Sequence, residues 1–232
     1  MRTPIRLLDT KATMLHKITA SPILVRVIPF AAFAALTMLQ GRFGDASQYW
    51  IYALKTVIGA WLLWLVRSHI KELKWAFSWE AVLVGVAVFA AWVGLDGHYP
   101  MLSQRSGSFN PASTYGTGSA MALMFIGVRI IGSSLIVPPL EEIFYRSFIY
   151  RYLIKSEFLQ IPLNRLDWRA FLIAGAVFGI AHYEWLPGIL CAFAYQWLVL
   201  RKNRLGDAIT AHAITNFLLG IWVVTRDAYC FW

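Results

Sequence analysis

Long apolar runs broken by short polar segments dominate the chain, and a helix needs about 20 apolar residues to cross a bilayer. Runs of that kind place helices near 22–40, 48–66, 79–95 and 120–137. Four more helical segments follow near 140–155, 169–183, 186–201 and 207–225. The pattern predicts an all-α fold, a polytopic membrane bundle of about eight helices. The one substantial polar stretch, Asp96 to Gly118, is rich in Ser, Gly, Thr and Tyr and reads as a lid or surface loop. It divides the chain into 1–117, membrane helices with this loop, and 118–225, a helical core that carries the unusual polar residues.

Charge complicates the topology. Arg2, Arg6, Lys11 and Lys17 precede the run from Pro22 to Gln40, which is long enough to span and has no small-residue cleavage site after it. It therefore reads as an uncleaved first span rather than a signal peptide. The basic N-terminus and the Arg67, Lys71, Lys74 loop place the N-terminus in the cytoplasm. The 155–169 loop and Arg201, Lys202 and Arg204 are equally basic, and eight strict crossings would put them outside. The conflict lifts if the 140–155 helix is broken or re-entrant, interrupted at Pro138 and Pro139.

Composition agrees with a membrane setting. Of 232 residues, 59% are hydrophobic and 14% charged, where a soluble domain carries roughly a quarter charged. Mean hydropathy is +0.57. The 11 Trp and 10 Tyr suit rings that collect at headgroup level. A net charge of +9 is what basic loops against anionic lipid produce. No Lys/Arg stripe interleaves with aromatics, so nucleic-acid binding is excluded. Arg26, Lys55 and Arg129 are expected to snorkel to the headgroups. Cys191 and Cys230 give neither a disulfide framework nor zinc-type Cys spacing.

Three patterns in the second half put strongly polar groups where lipid disfavours them. They are Glu141 and Glu142 with Arg146, Phe178 with His182, and His212 with Asn216. Glu142 to Arg146, Phe178 to His182 and His212 to Asn216 are each four-residue steps, which places both members on one helix face. Glu142 and Arg146 can therefore pair, while Glu141 sits about 100° around the helix without that cation. This makes Glu141 the candidate base and Glu142 its brace. Ordinary alternatives exist for each. Acidic residues after prolines suit a helix start, His182 could be an interfacial histidine, and His212 and Asn216 could bond neighbouring helices for about 0.6–2 kcal/mol each. Glu184, close behind His182, reads as marking the water interface. No Gly-x-Ser-x-Gly, His-Glu-x-x-His or phosphate-loop pattern occurs.

Glu-Glu-x-x-x-Arg, Phe-x-x-x-His and His-x-x-x-Asn, in that order on separate helices, resemble the CAAX protease and bacteriocin-processing family of intramembrane endopeptidases. The resemblance covers roughly 118–222 and extends to Pro139–Arg146 and Leu205–His212 around the outer motifs. The chain is also similar to the bacterial CAAX-protease-related subgroup associated with exosortase surface sorting. The resemblance implies hydrolysis of a peptide bond in a membrane protein or lipidated peptide substrate. Glu141 would activate water, Glu142 and Arg146 support it, His182 position the water, and His212 with Asn216 stabilise the oxyanion. Family members are often labelled metalloproteases, and Glu141, His182 and His212 could hold Zn²⁺ with water as fourth ligand; the same residues could equally act without metal. The implied setting is a multi-pass protein of the bacterial inner (plasma) membrane, with exosortase-type sorting machinery as a partner. The alternative is a non-catalytic membrane binding or immunity protein of the same fold.

Overall fold

Side-chain caps start several helices in the computed structural model, which describes residues 18–102 and 109–232. Ser78, Ser119 and Asp167 each accept from the backbone N–H three residues on, supplying an acceptor to an otherwise unpaired donor. The helices are α1 (Leu24–Thr37), α2 (Ser47–Val66), α3 (Trp79–Gly94) and the short α4 (Pro111–Tyr115). They continue with α5 (Ala120–Ile154), α6 (Trp168–Ile180), α7 (Trp185–Lys202) and α8 (Gly206–Arg226). No strand occurs among the described residues. The basic residues at positions 2 to 17 lie outside them. Among the described residues, three helical stretches are long and apolar enough to cross a membrane: Ser47–His69, Ala120–Ile154 and Gly206–Arg226.

The expected break at Pro138 and Pro139 is absent, and 120–137 and 140–155 form one 35-residue helix. The helix absorbs the prolines by widening to a π-helical turn over Gly132–Ile136 just before them, and a second π turn covers Ile143–Ile149. In the first, the Val137 N–H donates five residues back, to the Gly132 carbonyl. Proline has no N–H to contribute, so the widened turn sits where the regular ladder cannot close. π turns inside helices are frequent at functional sites, and both lie beside Glu141 and Glu142.

Other helices lock onto α5. The first half of α5 runs alongside α2 in the same direction, with Gly59 at the crossing; a β-carbon there would come within 3.0 Å of Ile136 and 3.3 Å of Leu140. Helix α1 runs back along both, stacking Phe30 on Phe144 with centroids 4.2 Å apart. Helix α3 crosses α8 at Gly85, where a β-carbon would stand 2.7 Å from the Ala211 carbonyl oxygen. The 96–118 stretch is partly folded in: Phe109 is buried against Tyr49 and Tyr52, and the Trp185 indole donates to the Pro100 carbonyl at 2.9 Å.

The cations expected at the headgroups are inside. Lys55 donates to Thr37 Oγ1 at 2.8 Å and lies over the Phe33 and Tyr52 rings. Arg129 lies over Tyr52 and Phe109, 4.4 and 4.9 Å from their centroids. A bundle this rich in aromatics offers cations π faces that headgroups would otherwise replace. Arg26 is buried and shares Glu72 Oε1 with Arg151, at 2.7 and 2.6 Å. Ser147 donates to the same oxygen at 2.5 Å. This knot fastens α1 and the 67–78 loop to the far end of α5.

Burial alone would raise the Glu72 carboxyl, but the Arg26 charge and the hydrogen bonds from Ser147 and Arg26 hold it at about 2. A depressed value stabilises the fold above the ordinary carboxylate range and loses that contribution as pH falls toward 2. Glu72→Gln is expected to melt below wild type at pH 7 by the equivalent of ~3 kcal/mol. The gap should narrow between about pH 5 and pH 2. Paired melts in detergent check this, and an equal gap at pH 7 and pH 3 contradicts the knot.

Candidate active site

Glu141 and Glu142 follow the proline pair on α5, and the second π turn carries Arg146 back over them. Arg146 Nη1 stands 3.2 Å from Glu142 Oε1, with the two side chains 2% and 0% exposed. The pairing expected from the four-residue spacing is therefore formed, deep in the bundle. Phe178 gives the guanidinium a floor, its centroid 4.4 Å from Cζ, so the phenylalanine of the middle pattern serves the arginine of the first.

Helix α8 brings in His212, which donates from Nδ1 to the same Glu142 Oε1 at 3.0 Å. One buried carboxylate thus holds both Arg146 and His212, across 70 residues of sequence. A carboxylate on Nδ1 fixes the imidazole tautomer and leaves Nε2 as the free nitrogen. That Nε2 lies 4.0 Å from Glu141 Oε2. Glu141, its side chain 16% exposed, keeps Oε2 without a hydrogen-bond partner among the described residues.

Tyr195 packs on His212 and Thr215 holds Tyr195, and neither was singled out from sequence. The Tyr195 ring tilts against it at 5.2 Å, and the Tyr195 hydroxyl donates to Thr215 Oγ1 at 2.7 Å. Thr215 in turn bonds the Gly85 carbonyl at 2.8 Å. The one available signal was Thr215, three residues beyond His212 and so on its face of the helix.

Asn216 is occupied differently from expectation. Its Nδ2 donates to the Ser133 carbonyl at 2.8 Å. That carbonyl has lost its helical partners, because Val137 bonds Gly132 and Pro138 has no hydrogen. The amide thereby supplies a donor where α5 has none, and one N–H of Asn216 remains. His182 lies just past the end of α6 and donates from Nδ1 to the Phe178 carbonyl at 2.8 Å. Its ring packs on Phe178 and Trp92, and Glu184 behind it is buried rather than at a water interface.

The set a zinc ion would use is not gathered. Among the described residues, no three His, Cys, Asp or Glu side chains converge as a metal site. Glu141 and His212 approach each other, but His182 stays tied to backbone.

Residues 123–218 match the family described as type II CAAX prenyl endopeptidase Rce1-like, a span holding all of the three patterns. Comparison of the chain with curated proteins and with solved structures gives no match. Together with three apolar helices of spanning length, the match makes the stretch from 123 to 218 similar to an Rce1-like domain and sets it in an integral membrane protein.

Proposed function

We propose that the chain is an intramembrane endopeptidase that hydrolyses a peptide bond of a membrane-associated protein or lipidated peptide, with Glu141 and His212 sharing the attacking water. The observation that carries this is the 4.0 Å between Glu141 Oε2 and His212 Nε2. A water donating one hydrogen to each of two acceptors at about 2.8 Å spans roughly 4–4.5 Å between them. In the tautomer that Glu142 selects, both atoms are acceptors. The water is then held with a lone pair free to meet a carbonyl carbon.

Glu141 takes one proton as the water oxygen bonds to the scissile carbon, and the carbonyl π electrons move onto oxygen. The remaining Asn216 N–H is the donor available to that oxyanion, a kind of contact worth about 10²–10³ in rate. When the tetrahedral centre collapses, the C–N bond breaks and Glu141 returns its proton to the leaving amine. Positioned acid–base transfer of this sort contributes about 10²–10⁴. Glu142 stays paired with Arg146 throughout and keeps His212 Nε2 turned to the water. His182, anchored on Phe178, borders the site without touching the pair.

The test is cleavage of a panel of membrane-anchored peptides by purified protein, with metal content measured on the same sample. Mass spectrometry should find one new carboxyl and one new amine at a single position, without stoichiometric metal. Loss of cleavage on chelation and its return with zinc would replace the direct role of Glu141 with a metal-borne one.

A further inference from the structure

Beside the reacting pair, a groove of about 470 Å³ runs between α5 and α8. Trp75, Phe77, Leu135, Ala213 and Phe217 make its walls apolar, and its polar side chains are Thr210, whose hydroxyl donates to the Ala76 carbonyl at 2.7 Å, and Ser134, which sits in the π turn itself. Ala213 follows His212 in the chain, so one wall of the groove continues directly from the site.

Ser134 is unusual in both of its polar groups. Its hydroxyl is buried and without a hydrogen-bond partner among the described residues, the residue being 5% exposed. Its carbonyl has no donor within the helix either. The N–H four residues on would belong to Pro138 and the one five on to Pro139, and neither exists. The N–H three residues on, at Val137, goes to Gly132. Ser133, in the same position, is rescued by Asn216; Ser134 has no such rescuer among the described residues. In a dry setting an unmatched carbonyl is costly.

We infer that the groove seats the substrate peptide in extended form, with one of its backbone N–H groups on the Ser134 carbonyl. This deepens the peptidase reading and rests on it. An extended peptide presents apolar side chains and N–H donors alternately, matching apolar walls with one unpaired backbone acceptor. A lipid tail would fill the groove but donate nothing to that carbonyl, and an anion would find no cationic side chain in the lining. Ser134 precedes Glu141 by seven residues, roughly 10 Å along a helix. The anchoring N–H therefore lies about three residues from the scissile bond in an extended chain.

The experiment measures binding of fluorescent, palmitoylated peptides with varied apolar side chains, in nanodiscs, on a Glu141→Gln background that keeps the peptide whole. Each backbone N–H of the best binder is then replaced in turn by an ester oxygen. One ester should weaken binding about tenfold, the size of one lost hydrogen bond. Pro138→Ala restores an N–H four residues beyond Ser134. It should bind the parent peptide about tenfold more weakly and be indifferent to that ester. No binding across the panel, no position that stands out, or a Pro138→Ala variant as ester-sensitive as its parent would each overturn the seat. Wild-type cleavage is read separately. Binding with one sensitive position but no cleavage keeps the seat and removes the peptidase; cleavage with no sensitive position does the reverse.

Discussion

Glu141→Gln is expected to lower peptide turnover by at least about 10²-fold while leaving the melting temperature of the bundle nearly unchanged. The substitution is close to isosteric and removes the proton acceptor without emptying space. Glu141 makes no pair with Arg146, and its Oε2 has no partner among the described residues, so little packing or hydrogen bonding is lost. The general-base contribution is about 10²–10⁴ in rate, and that whole factor disappears with the carboxylate. The two measurements together separate the rival readings. A binding or immunity protein of this fold needs only the shape of the site and keeps its function with glutamine. A peptidase loses turnover but not stability. Turnover preserved within threefold would remove Glu141 from the chemistry and shift the base to His212, the other acceptor facing the 4.0 Å gap.

How much of this site could be read from the chain depends on the range of each contact. Glu142 and Arg146 are four residues apart on one helix, so their pairing follows from helical geometry and is found at 3.2 Å. The grip of Glu142 on His212 joins two helices 70 residues apart, and periodicity says nothing about which faces of separate helices meet. The prolines misled for a physical reason. A proline pair normally ends a helix by removing donors, but here the π turn and the Asn216 amide together take up the mismatch at Ser133. The buried cations misled similarly, since a lone Arg26 in an apolar run suggests a headgroup until Glu72, 46 residues on, arrives beside it. Helix positions were legible because caps and apolar runs are local; the charge network was not, because its members come from α1, a loop and α5.

Arg146→Ala is the substitution expected to damage the fold most. It strands Glu142, which is fully buried, with His212 as its remaining polar partner. Removing one member of a buried ion pair typically costs 3–5 kcal/mol, because the other charge is left uncompensated in low dielectric. The guanidinium also covers the Phe178 ring, so truncation opens space between α5 and α6 in addition. Activity should fall with stability, since Glu142 loses the guanidinium that holds it in place and no longer keeps His212 in one orientation. Thermal melts in detergent check the first part, and an unchanged melt contradicts the pairing. The double variant Arg146→Met with Glu142→Gln distinguishes charge from packing. Methionine refills much of the volume and glutamine removes the stranded charge, so the double should recover most of the lost stability. It should not recover activity, because an amide can either accept from or donate to His212 Nδ1 and so no longer fixes the tautomer that leaves Nε2 free toward Glu141. Stability restored without catalysis would mean that Arg146 serves the reaction by holding Glu142 in place, and Glu142 serves it by aiming His212.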